Sequence, residues 1–132
     1  MVAGIVVTHG TLAEELLRTA RTVYGDFSDC YAVSNTAKST DDLAAEIDSV
    51  IASLKGSPCI VFVDFVGGSC SNACLKQAHA HARRATRMIS GVNLPMLLAF
   101  LNKRDEVPFE QLPKAIVERS HNSIQVMDPN EI

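Results

Sequence analysis

The sequence predicts an α/β protein, a three-layer α-β-α sandwich built on a mainly parallel sheet of about four strands. Three observations predict it. Short β-branched apolar runs alternate with amphipathic stretches at helical spacing along the whole chain. The runs are apolar throughout rather than alternating, the pattern of strands covered on both faces. Each strand is followed by a helix before the next strand, which implies right-handed crossovers and parallel pairing. At 132 residues, 47% of them hydrophobic, the chain suffices for one core, and no repeat or linker divides it, so residues 1–132 read as a single domain.

Taken in order, "VAGIVV" (Val2–Val7) is the first strand, running out through Thr8, His9 and Gly10. Thr11-Leu12-Ala13-Glu14 fits a capping box, T-x-x-E, and starts a helix whose apolar stripe is Leu12, Leu16, Leu17, Ala20 and Val23, stopped by Gly25. "CYAVS" (Cys30–Ser34) is the second strand. Ser39 and Thr40 compete as the next N-cap, ahead of a stripe of Leu43, Ile47, Val50, Ile51 and Leu54. "CIVFV" (Cys59–Val63) is the most strand-like run, followed by Asp64, a Gly-Gly pair, Ser69 and a helix carrying Ala73, Leu75, Ala78 and Ala82. "RMIS" is the fourth strand, and Pro95 suits the first turn of the helix in "PMLLAFL". A further helix is expected over Phe109–Arg119, with Pro113 starting or kinking it. "SIQVM" (Ser123–Met127) closes the chain as a short strand.

Composition excludes several functions. Net charge is −3, the pI is near 5.7, and "ARRATR" (Ala82–Arg87) is the only basic cluster, so no nucleic-acid partner is expected. No apolar run approaches the roughly 20 residues of a membrane helix, and the N-terminus lacks the pattern of a secretory signal. A cytoplasmic location is expected. The four cysteines then read as reduced thiols. Cys70 and Cys74 share one helical face; His81, eleven residues beyond Cys70, lies about 16 Å along the axis, too far for a shared metal. His79 and His81 point to different sides of a helix, and with His121 they are expected to be solvated.

Parallel α/β sheets bind ligands beyond the carboxyl ends of the strands, where strand order reverses. In a common order of such sheets that point lies between the first and third strands. Here it would set His9 against Asp64. On position alone His9 could equally be satisfied by a nearby backbone group. Paired, the carboxylate would fix the ring tautomer and leave the other nitrogen nucleophilic. Gly67, Gly68 and Ser69 offer backbone N–H groups at a helix start, and Gly10 and Thr11 offer a second, both favouring anions. Ser69 fits an N-cap and a phosphate ligand equally well. These groups suit a covalently held phosphoryl group. No G-x-S-x-G elbow, Walker-type loop or G-x-G-x-x-G occurs, and "VTHG" lacks the acidic cluster of a receiver-type signalling domain.

Three segments, "GIVVTHGTLAEELLRTA", "VFVDFVGGSCSNA" and "ISGVNLPMLL", together resemble the EIIA domains of the mannose-type sugar phosphotransferase system (PTS). The resemblance implies that His9 accepts a phosphoryl group from the carrier HPr and passes it to an EIIB partner. It implies that Asp64 hydrogen-bonds that histidine and Ser69 helps bind the phosphate, with Gly91–Leu97 flanking the same end of the sheet. It also implies a homodimer in which a last antiparallel strand is exchanged, a part "SIQVM" could play, and membrane contact only through a transporter complex. Transfer between phosphohistidines requires neither metal nor cofactor, and none is expected. Where the family commonly has Thr or Ser, a large residue and then G-G-S-P, this chain has Phe65, Val66 and, after the serine, Cys70. The alternative role is a phosphorylation-dependent regulator that uses the same histidine without feeding a transporter; the related phosphocarrier subunit of dihydroxyacetone kinase is a weaker alternative.

Overall fold

A computed structural model of the chain describes residues 1–80 and 85–131, the side chains of 77–80 excepted. In chain order it contains β1 (Ala3–Thr8), α1 (Leu12–Tyr24), β2 (Cys30–Ser34), α2 (Thr40–Ser53), β3 (Cys59–Val63), α3 (Ser69–Ala80), β4 (Thr86–Ser90), α4 (Leu94–Lys103) and α5 (Leu112–Asn122). The strands form a parallel sheet in the order β2-β1-β3-β4. The three-layer α/β architecture expected from the sequence is the one observed.

Strand periodicity divides the core in two. Val2 and Val6 of the first strand segment face α1, α4 and α5, where Leu17, Leu97, Phe100 and Ile116 pack against Ile60 and Phe62. Ile5 and Val7 face α2 and α3, where Leu43, Ile47 and Ile51 meet Val61 and Val63. All residues of β1 and β3 are buried, which explains their unbroken apolar character. The rings of Phe62 and Phe100 meet edge to face at 5.3 Å.

Helix starts follow local chemistry. The Ser39 hydroxyl accepts from Asp42 N–H at 3.0 Å, settling the competition with Thr40, and Asn93 caps α4 through Met96 N–H at 2.9 Å. Two expectations are corrected. Thr11 sits at the α1 boundary with ψ of 7° and makes no side-chain cap, so the capping box does not form. The cap comes from Thr8, whose buried hydroxyl accepts from Ala13 N–H at 2.8 Å. Consequently Ala13, Leu17 and Ala20 form the inward stripe of α1, while Leu12 and Val23 face solvent. The helix expected from Phe109 begins at Leu112; Pro108–Gln111 form a turn, and Pro113 stands in the first helical turn, where its missing N–H costs nothing.

Within this single chain, Ser123–Met127 is not a strand. Residues 124–128 carry no regular structure, and Ile124, Val126 and Met127 are exposed. A strand exists only against a partner edge, and an exchanged strand has none within its own chain. The expectations for His81 and for Ala82–Arg84 fall outside the described residues, as does that for the His79 side chain.

Candidate functional site

The strand order places β1 beside β3 while their crossovers leave to opposite faces, and the site forms at that switch point. His9 follows β1 and Asp64 follows β3. They are 55 positions apart in sequence, yet His9 Nδ1 lies 2.7 Å from Asp64 Oδ2, and the His9 backbone N–H donates to the same oxygen at 2.9 Å. The Phe65 N–H donates to Asp64 Oδ1 at 3.0 Å. Burial alone would push the Asp64 carboxyl up, but the bonds from the His9 backbone, the His9 ring and the Phe65 backbone together hold it below the ordinary carboxylate value. The carboxylate is therefore ionised at neutral pH and can only accept. The imidazole must donate from Nδ1, which leaves the lone pair on Nε2. The His9 side chain is 39% exposed and that of Asp64 only 11%.

Phe65 stacks on the imidazole, centroids 4.9 Å apart and planes 14° from parallel. Gly68 makes this possible. A Cβ there would stand 3.0 Å from His9 Cε1 and 3.0 Å from the Phe65 ring, too tight for either to stay. Gly10 has φ of +59°, the left-handed turn by which the chain leaves β1 for α1 directly beyond His9.

The structure differentiates the expected anion-binding groups. At α1 the N–H groups are largely committed: Gly10 to Asn35 Oδ1 at 3.3 Å, Leu12 to the His9 carbonyl at 3.5 Å, Ala13 to Thr8. Thr11 is exposed and caps nothing. The Gly67 N–H donates to Ser71 Oγ at 2.9 Å. Gly68 and Ser69 open the first turn of α3, whose N–H groups have no intrahelical acceptors by geometry. The α3 start is thus the better cradle.

Asn35 escapes sequence reasoning, and Cys70, singled out there only as a thiol and a departure from the family's pattern, gains a place beside the histidine. Asn35, at the carboxyl end of β2, receives the Gly10 N–H and donates from Nδ2 to Ser69 Oγ at 3.2 Å, tying the two loops together. Its only sequence signal is its place at a strand end next to β1. Cys70, fully buried, brings Sγ within 3.8 Å of His9 Nδ1. Burial, then the Asp64 charge, pushes its thiol up to about 11; burial, then Cys70, pushes Cys74 up to about 12. Both are neutral thiols at physiological pH. A cavity of about 590 Å³ beside α4 and α5, lined by Leu98, Asn102 and Arg119 among others, touches neither site loop. Beside His9, the stacked Phe65 is itself exposed, as is Val66 next to it in the same loop.

A parallel α/β sandwich with a tautomer-locked histidine at its switch point defines a class of histidine-site proteins. Residues 4–117 match the family model EIIA-man, described as "PTS system fructose IIA component", and the chain belongs to that family. It is 29% identical over 129 residues to the PTS system mannose-specific EIIAB component of Escherichia coli K12, covering 96% of this chain but only 39% of that relative. It is 26% identical over 112 residues to the sorbose-specific EIIA component of Klebsiella pneumoniae, covering 85% of this chain and 82% of that one. The crystal structure of a phosphotransferase EIIA component from Streptococcus agalactiae superposes with a TM-score of 0.89 over all of both chains, at 19% identity. Among the described residues no helix is long and apolar enough to cross a membrane.

Proposed function

We propose that this chain accepts a phosphoryl group on His9 Nε2 from phosphorylated HPr and hands it to an EIIB component, acting in the cytoplasm as a homodimer. The observation that carries the reading is the 2.7 Å contact between His9 Nδ1 and Asp64 Oδ2, which leaves a nucleophilic Nε2 on a half-exposed ring. Nε2 attacks phosphorus in line as the bond to the donor's imidazole nitrogen breaks, and the donor ring recovers that electron pair. The second transfer runs the same exchange outward. Asp64 neutralises the positive charge that develops on the His9 ring. N–H groups at the α3 start and the Ser69 hydroxyl meet the equatorial oxygens of a loose transition state, for which positioning and charge compensation supply most of the catalysis. The half-exposed His9 ring, with the exposed Phe65 stacked on it, suits a protein donor rather than an enclosed small molecule.

The test is phosphoryl transfer from phosphoenolpyruvate through Enzyme I and HPr, read by intact mass and acid lability. One acid-labile phosphoryl group, absent in His9→Ala, is expected; equal labelling of His9→Ala rejects the assignment. Passing the label to an EIIB separates the transport relay from the regulatory alternative, for which the labelled chain would retain its phosphoryl group in the presence of EIIB.

A further inference from the structure

We propose that His9, Asp64 and Cys70 form a binding site for a zinc-class divalent ion, and that the ion switches the histidine off. One ligand atom from each residue, Nδ1, a carboxylate oxygen and Sγ, lies within 4.8 Å of the others. The closer pairs are Nδ1 to Oδ2 at 2.7 Å and Nδ1 to Sγ at 3.8 Å. Tetrahedral zinc at 2.0–2.3 Å from N, O and S places its ligands about 3.2–3.7 Å apart, so side-chain shifts on the order of an ångström close the site. Imidazole and thiolate together select zinc and cobalt over magnesium or calcium. Cys70 supplies the sulfur from the first turn of α3, while the partly exposed imidazole leaves a way in from solvent. A fourth position stays open to water.

The consequence follows from the ring's electron count. The ion takes the Nδ1 lone pair, so the single ring proton moves to Nε2, and Cys70 Sγ–H gives its proton to solvent. The nitrogen that must attack phosphorus then carries a proton and no lone pair. Asp64, which orients the ring for transfer in the free protein, becomes a ligand. The ion and the phosphoryl group therefore exclude one another through the tautomer. The relay runs metal-free, and the metal-loaded form is its resting state. This effect on transfer rests on the relay proposed above; the binding site does not.

Metal-stripped protein titrated with Co(II) tests the site, followed by competition with Zn(II). One ion per chain is expected, with a near-ultraviolet thiolate-to-cobalt band retained in Cys74→Ala and lost in Cys70→Ala and Cys70→Ser, and at least tenfold weaker binding in both Cys70 variants. With isolated phospho-HPr as donor, stoichiometric Zn(II) should slow labelling of the unmodified chain at least tenfold, reversibly with chelator. The ratio of rates with and without zinc should return to near one in Cys70→Ala. Cobalt binding without a thiolate band, an unchanged band in either Cys70 variant, or full zinc occupancy without slower labelling overturns the proposal. If the metal-free chain is never labelled, the relay reading fails, and the cobalt titration still decides the site.

Discussion

His9 owes its chemistry to neighbours on three sides. Asp64 holds Nδ1 and the backbone N–H of the same residue, Phe65 covers one ring face, and Gly68 leaves room for both rings. Removing the carboxylate frees the tautomer and leaves the developing imidazolium uncompensated. Asp64→Ala should slow transfer on the order of 10²-fold or more, measured as labelling rate at saturating phospho-HPr. Phe65 acts differently, as a positioning residue. Its stack restricts ring rotation, and an aromatic pair of this kind contributes about 0.5–1.5 kcal/mol, or roughly 2- to 10-fold in rate if all of it is felt in the transition state. Phe65→Ala should lose that factor in the rate at saturating donor and Phe65→Tyr should restore it; equal rates for all three would remove Phe65 from the mechanism. Phe65, one of the three departures from the pattern the resemblance implies, is thus in direct contact with the histidine.

At the scale of the element, α1 shows how a local motif yields to tertiary context. Thr11 and Glu14 have the right spacing for a capping box, but the chain turns at Gly10 with positive φ, and the buried Thr8 hydroxyl already reaches Ala13 N–H. Thr8→Val keeps the shape and removes the acceptor, leaving a buried N–H unsatisfied. The expected cost is about 1–2 kcal/mol in urea unfolding, with Thr8→Ser much closer to the unmodified chain. The segment after α5 shows the complementary case. Its apolar residues Ile124, Val126 and Met127 remain exposed because no strand edge of the same chain receives them. If they form the exchanged strand of the proposed homodimer, the unmodified chain should sediment as a dimer and Val126→Asp as a folded monomer. A dimer unaffected by that change would place the interface elsewhere.

Across the whole molecule, the sheet and its two cores set the register that joins the site, so site and stability are linked through Asp64. Its folded carboxyl value is held below the ordinary 3.8. The sign follows: this group's contribution is fully present above the unfolded value and is lost as pH falls through the lower folded one. Stability measured by denaturant between about pH 5 and pH 2 should therefore fall with a component that Asp64→Asn removes. A pH-independent difference throughout would place the effect of the substitution in packing rather than charge.

The α/β class, the strand runs and most helices were legible because hydrophobic period is a local property: "CIVFV" is buried on both sides, and its residues say so. Asp64 could be set against His9 only by assuming a common strand order, and the observed order β2-β1-β3-β4 is the one in which the ends of β1 and β3 adjoin. The sequence also carried the family resemblance in three motifs. What only the tertiary structure decided is which groups spend their hydrogen bonds and where. Gly67 gives its N–H to Ser71, Gly10 turns to Asn35, and Thr8 rather than Thr11 caps α1. Cys70 reads from the sequence as a buried or half-buried thiol with a redox or metal role left open, until the fold sets its sulfur 3.8 Å from the His9 ring. Periodicity reports which side of an element is covered, since burial depends on the average surroundings of a face. Hydrogen-bond partners and ligand geometry depend on distances between segments far apart in the chain, and those exist only once the sheet has closed them.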